Sequence, residues 1–390
     1  MMRWLMTACT AVVALSSTCA QSAPPKVIVT DYGAHTSTAG PGAPKHIIGL
    51  QRLSHVIVMD TGVREYGLRY GVAHDDKRPG VAILGEGYIG MSKPANCNWY
   101  AGGFFDLQIN GQTIGTTPIH SLIGRGVGNR GCVDFVFDTR LALVRIRFVA
   151  LAGSDALYCQ ALLEPKTEIK SLRLILRCYP SAYVSNSDRH VLTPVRDLAQ
   201  GKRAELDLAR EWWLLYYDRI FDAGHVSPSR TGVGPCSVLW PGGQTNKVSF
   251  TVASYGTGTA MSLKPQLREF RLVFFDYAGK KNETAIADLR QRADGLLKEL
   301  AAFPFTDQSI ANWPLEQRRQ EIAQVLARMP DEKETAAQYQ KWAAELAAQL
   351  KLLQSGGAGA IMAEAAAAKT IQQWERGLPE LKLKELLKRI

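Results

Sequence analysis

The chain has 390 residues, a formal charge of +10, and a composition that is 46% hydrophobic and 21% charged. That is ample for a buried core, and the length suits two domains or one large β domain with an appendage. The charge attracts anionic partners, but no Lys/Arg block with interleaved aromatics points to nucleic acid.

The first residues, MMRWLMTACTAVVALSSTCAQSAPP, place Arg3 before the apolar run Leu5–Leu15 and small residues at Thr18 and Ala20. This is the layout of a signal peptide, so residues 1–22 are expected to be removed and the rest secreted or periplasmic. The run falls short of the ~20 apolar residues that a spanning helix needs, and no later run approaches that length. A lipid anchor at Cys19 is a minor alternative, because Leu15 lies one place too far back for the usual context.

Residues 23–279 are β-rich. Short apolar runs such as KVIVTDYG, SHVIVMDTG, CVDFVFDT, LRLILRCYP and FRLVFFDYAG recur between Gly, Pro, Asn and Asp. Phe105, Leu107 and Ile109 alternate with Asp106 and Gln108, and Asn110-Gly111 supplies the turn of a two-residue hairpin. Arg145 and Arg147 alternate with apolar neighbours, which implies a wet face; LRLILR does the same. Many short strands without intervening helices predict an antiparallel sandwich or barrel.

Loops between these strands hold the candidate chemistry. SKPANCNWYAGGFF offers Trp99 and Tyr100, either to stack on a sugar or to plug the end of the sandwich. CYPSAYVSNSDRH supplies Tyr183, Asn186, Arg189 and His190. These are the residue types with which a uronate lyase neutralises a carboxylate and removes the adjacent proton. An ordinary loop would also look this way.

EWWLLYYDRIFDAG, read as a strand, puts Trp212, Leu214, Tyr216, Asp218 and Ile220 on one face and Trp213, Leu215, Tyr217, Arg219 and Phe221 on the other. Both faces are apolar, as in a strand covered on two sides. A helix from Ala204 is the competing reading. Packing is the expected role of Trp213, Leu215 and Tyr217. Trp212, Asp218 and Arg219 are the candidates for a sugar cleft, rimmed by His225 and Arg230 of the following GHVSPSRTGVGP.

Other patterns exclude chemistry. GVGNRG, 126–131, matches a dinucleotide fingerprint by letter but precedes a strand, so it reads as a turn. His74-Asp75-Asp76 reads as a solvated turn, since three adjacent side chains do not converge on one ion. Neither a metal nor a cofactor is expected. Five cysteines follow the leader: Cys97, Cys132, Cys159, Cys178 and Cys236. Their spacing allows one or two disulfides, or none.

After Gly279 the pattern becomes helical. Ile286, Leu289, Ala293, Leu296 or Leu297, and Leu300 recur at helical intervals, and residues 315–329 and 333–353 follow suit. Pro314 and Pro330 are breaks, a further helix runs to about Arg376, and LPELKLKELLKRI is a separate amphipathic piece. Residues 280–390 carry 17 Lys/Arg and 15 Asp/Glu, so the basic excess lies mainly before them. This region is expected to form a bundle, to cover the sandwich as an extra layer, or to dock a protein partner.

The order of strands, the late Trp/Tyr-rich strand and the helical addition resemble the galactose-mutarotase-like supersandwich over residues 45–278. CYPSAY and EWWLLYYD are also similar to segments of exported bacterial proteins. The supersandwich resemblance implies a carbohydrate-interacting protein, binding rather than catalytic, with a polysaccharide lyase or a structural envelope protein as alternatives. Glu211 and Glu269 lie at strand positions compatible with the mutarotase pair, but without its context.

Overall fold

The computed structural model describes residues 26–41, 45–75, 78–82, 88–180, 188–220, 234–254, 256–306, 308–355 and 359–388. Two antiparallel sheets face each other. The first has 11 strands, ordered Ile28–Thr38, Gln51–Asp60, Glu65–Asp75, Tyr88–Lys93, Phe105–Ile109, Leu172–Cys178, Thr257–Leu263, Thr245–Val252 and Arg203–Glu205, with Arg78–Ala82 and Gln112–Thr113 paired beside this path. The second has nine, ordered Asp197–Ala199, Arg189–Leu192, Trp213–Asp218, Cys236–Leu239, Glu269–Asp276, Leu157–Pro165, Ala142–Leu151, Arg130–Asp138 and Ser121–Val127.

Local sequence sets the turns. Asn110 and Gly111 take φ of 50° and 76°, the left-handed pair that closes a two-residue hairpin between Phe105–Ile109 and Gln112–Thr113. GVGNRG is likewise a hairpin, with Gly128 at φ 57° between two strands. Gly131 is there for space, since a Cβ would sit 2.5 Å from Val27 Cγ1. No helix follows, which removes the dinucleotide geometry.

Among the described residues five helices follow the strands: α1 (Asn282–Ala302), α2 (Gln308–Ala311), α3 (Leu315–Leu326), α4 (Lys333–Ser355) and α5 (Ala360–Leu387). α1 buries Ala285, Leu289, Ala293, Leu296 and Leu300, one stripe along its length, and ends where Phe303 turns extended before Pro304. α5 corrects the sequence expectation of a break near Arg376, for it continues through Pro379. The stripe Ile371, Trp374, Leu378 and Leu381 stays buried on both sides of the proline, so packing outweighs the lost backbone bond. No described helix is long and apolar enough to cross a membrane.

The result is sheet on sheet with helices outside the second sheet. One core fills the space between the sheets, including Leu214 and Tyr216. Another joins the outer side of the second sheet to α1, and contains Trp213, Leu215 and Tyr217. Strand Trp213–Asp218 is therefore covered on both faces, and α1 is one of the covers. A third core lies among α2–α5 and also takes in Ile123, Val136 and Leu143 of the second sheet.

Arg145 and Arg147 overturn the expectation of a wet face. They are 4% and 1% exposed, beneath α5. Arg147 donates to both carboxylate oxygens of Asp134, at 2.7 and 2.6 Å, and to Glu364 at 2.6 Å. Its Nη1 donates to the Phe305 carbonyl at 2.8 Å, and Arg145 also pairs with Glu364. Alternation shows which residues share a face, not whether a later segment will cover it. LRLILR behaves as expected, with Arg173 and Arg177 on an open face.

Candidate functional site

Strands Leu172–Cys178, Arg189–Leu192, Trp213–Asp218, Cys236–Leu239 and Glu269–Asp276 bring titratable groups to one end of the sandwich. Between the sheets, Asn98 donates to Asp276 at 2.7 Å, and the Ala278 amide adds a bond of 2.9 Å to the same oxygen. Burial raises the Asp276 carboxyl to about 7, against the lowering effect of these donors. Around Asn98 gather Cys97 and Cys236, whose sulfurs lie 3.8 and 3.5 Å from its oxygens, while Cys178 bonds the Thr257 carbonyl at 3.7 Å. All five described cysteines are free and buried. Burial pushes the Cys159 and Cys236 thiols well up, which makes them inert.

Several candidates from the sequence meet at this end, on opposite sides of the second sheet. Arg189 and Asp218 pair across neighbouring strands with Nε and Oδ2 4.0 Å apart; they are 0% and 2% exposed. On the helix-facing side, His190 lies between two carboxylates, Nδ1 2.9 Å from Asp197 and Nε2 3.3 Å from Asp188. The Tyr217 ring stacks on the imidazole at 5.1 Å, and its hydroxyl donates to Asp197 at 2.6 Å. Burial and the Asp197 bond raise the Tyr217 phenol, so it keeps its proton at neutral pH. Exposed Arg219 completes the rim, 3.5 Å from Asp197.

Trp99 is corrected from a sugar-stacking candidate to a core residue. It is fully buried against Phe104, Tyr216 and Phe274, and its indole donates to the Phe275 carbonyl at 2.9 Å. A ring closed on all sides presents no face to a ligand. Arg189, Asp218 and His190, the last 4% exposed within strand Arg189–Leu192, are likewise inside rather than on a rim or an open loop. Trp212 is half-buried at the edge of the α1 core. Glu211 is 1% exposed and occupied by Thr193, Arg196 and the Asp207 amide. Burial works against ionisation there, but those donors win and hold its carboxyl below the usual range. Glu269 is tied to Gln160 and Arg271. Tyr183, Asn186, His225, Arg230 and Asp76 lie outside the described residues, as do the side chains of His74 and Asp75.

The outer face of the first sheet was not singled out by the sequence. Its registers set three rows side by side: Gln108, Arg173, Ser262 and Lys247; Asp106, Ile175, Ala260, Ser249 and Glu205; Arg177, Gly258, Thr251 and Arg203. Except for Asp106, these positions are half-buried or exposed. The floor is small and flat, while Arg173 and Lys247 stand two strands apart, roughly 10 Å. Asp106 is 2% exposed and accepts from Arg177 at 3.1 Å, and Lys247 pairs with Glu205.

A cavity of about 410 Å³, lined by Gln108, Lys170, Arg173, Asn246 and Ser262, opens at one end of these rows. At the other end Tyr100 and Tyr179 pack edge to face at 5.0 Å. The signal in the sequence was the spacing of Arg173, Arg177 and Lys247; only strand register could show that they share a face. Among the described residues no cluster of three His, Cys, Asp or Glu could hold a metal ion.

No family profile and no curated protein sequence matches the chain. Solved structures with similar architecture include a protein of glycosyl hydrolase family 38 from Enterococcus faecalis, 8% identical with a TM-score of 0.36, covering 70% of this chain and 41% of that one. Chondroitinase AC lyase is 9% identical with a TM-score of 0.35, covering 60% and 38%. A GH36 α-galactosidase from Geobacillus stearothermophilus is 11% identical with a TM-score of 0.31, covering 64% and 41%. The chain spans about two-fifths of each of these proteins, and the likeness is a weak one at the level of the fold.

Proposed function

We propose that the protein is an exported carbohydrate-binding protein that holds an anionic glycan on the open face of the first sheet. The observation that carries this reading is the row Gln108, Arg173, Ser262 and Lys247, with cations standing over a small-residue floor and leading into the 410 Å³ cavity. Small floor residues let a sugar ring approach the sheet. The cations offer donors to carboxylate or sulfate groups, and Tyr100 with Tyr179 supplies aromatic surface at the far end. The test is affinity electrophoresis in gels containing uronate-bearing, sulfated or neutral polysaccharides. Retardation by an anionic polysaccharide, lost in the Arg173→Gln/Lys247→Gln double variant, is the expected result. Equal mobility in every gel, or retardation that survives the double variant, overturns it.

A second reading, a polysaccharide lyase, draws on His190 between Asp188 and Asp197 beside Tyr217. The raised Tyr217 phenol is a poor base, which leaves His190 as the group to move a proton. Unsaturated uronate products absorbing in the ultraviolet, abolished by His190→Ala, would establish it. Their absence on all uronate-bearing polysaccharides removes it.

A further inference from the structure

We propose that a cavity of about 420 Å³ at the end of the sandwich, lined by Arg64, Ser154, Asp155, Lys280 and Arg292, binds a small oxyanion. Three stretches distant in sequence build it: the turn after Asp60, the hairpin at Gly153, and the segment after Asp276 that runs into α1. The Gly153 amide donates to the Thr61 carbonyl at 2.8 Å, which ties the hairpin to the turn. Three cations face one carboxylate across the lining. Arg292 and Lys280 both pair with Asp155, at 2.9 and 3.6 Å.

Each cation is also held from behind. The Arg292 guanidinium lies 4.9 Å over the Phe275 ring and is 3.1 Å from Asp288. The Lys280 ammonium lies 5.4 Å over Tyr277, and Arg64 donates to the Ala278 carbonyl at 3.2 Å. Charges fixed in this way before a ligand arrives need little reorganisation. Asp155 already occupies part of the place that a carboxylate, sulfate or phosphate group would take between Lys280 and Arg292. The Ser154 hydroxyl adds a neutral donor beside it.

This site lies at the opposite end of the sheets from the 410 Å³ cavity, so it stands or falls independently of the glycan reading. Titration calorimetry with inorganic sulfate, inorganic phosphate and glucuronate, against sodium chloride at matched ionic strength, separates a free inorganic anion from a sugar acid. Saturable binding of at least one of them is expected, about tenfold weaker in Lys280→Gln and in Arg64→Gln through loss of a charge-assisted bond. Asp155→Asn should bind more tightly, because the competing carboxylate has become neutral while its backbone bond from Tyr66 remains. A residue with a merely structural role would not give that opposite sign. Heats no different from chloride, or affinities unchanged in Lys280→Gln and Asp155→Asn, overturn the proposal. The Lys280→Gln variant carries the test if Arg64→Gln does not fold.

Discussion

Arg147 and Glu364 stand 217 residues apart in sequence and 2.6 Å apart in space, on a sheet and on the helix that covers it. With Asp134 and Arg145 they form a buried cluster in which each charge has an opposite neighbour. Replacing Glu364 by Ala leaves two guanidinium groups short of a partner in a place water does not reach. The expected loss is about 3–5 kcal/mol in urea unfolding. Exchanging all four for apolar residues of similar volume should cost far less. If Glu364→Ala unfolds at the wild-type midpoint, the helix is not held by this cluster.

Asp276 makes stability depend on pH in the direction opposite to that of most carboxylates. Its folded value is about 7, above an unfolded value near 3.8. Between those values the folded state holds a proton that the unfolded state has lost, so stability falls as pH rises from about 4 to 7 and levels off above. Asp276→Asn keeps an acceptor for Asn98 and removes the ionisation. Its melting temperature should therefore exceed that of the wild type at pH 8, by more than at pH 5. Parallel pH profiles for the two proteins would contradict the assignment.

Trp99 separates packing from binding. Trp99→Ala should cost about 3–5 kcal/mol, through the cavity left among Phe104, Tyr216 and Phe274. Any retardation in polysaccharide gels should persist while the variant remains folded. Tyr100→Ala should do the reverse, with weaker retardation and nearly wild-type unfolding, because its ring is only half-buried.

The buried thiols predict a two-stage reaction with a small aromatic disulfide reagent. The native protein should leave Cys97, Cys132, Cys159, Cys178 and Cys236 unreacted over minutes, and denaturant should release all five. A count of three in denaturant without reductant would mean that one pair is joined.

Much of the architecture could be read in the residues, because each strand carries its own signal. Asn110-Gly111 specified its hairpin, and the double-sided apolar run from Trp213 to Tyr217 announced a strand covered twice. The spacing of Leu289, Ala293, Leu296 and Leu300 gave α1 its buried stripe. Long-range partnership stayed hidden. Nothing near Arg145 indicates Glu364, and nothing near Trp99 indicates Tyr216 and Phe274. The same holds for binding surfaces. Arg173 and Lys247 become neighbours only through the register of strand Thr257–Leu263, and Arg64 meets Lys280 and Arg292 only through the fold of the sheets. The polar loop around Trp99 left two readings open, a stacking face or a plug, and Trp99 turns inward to close the end of the sandwich.

The separation of Arg147 from Glu364 also has a meaning in time. At a synthesis rate of roughly 5–20 residues per second, about 10–40 s pass between the making of the first and of the second. Throughout that interval α5 is missing, and Arg145 and Arg147 have Asp134 beside them but not yet Glu364. A nascent chain in that condition invites misassociation, and the same pair of arginines that troubles it then becomes the mark by which α5 finds its seat.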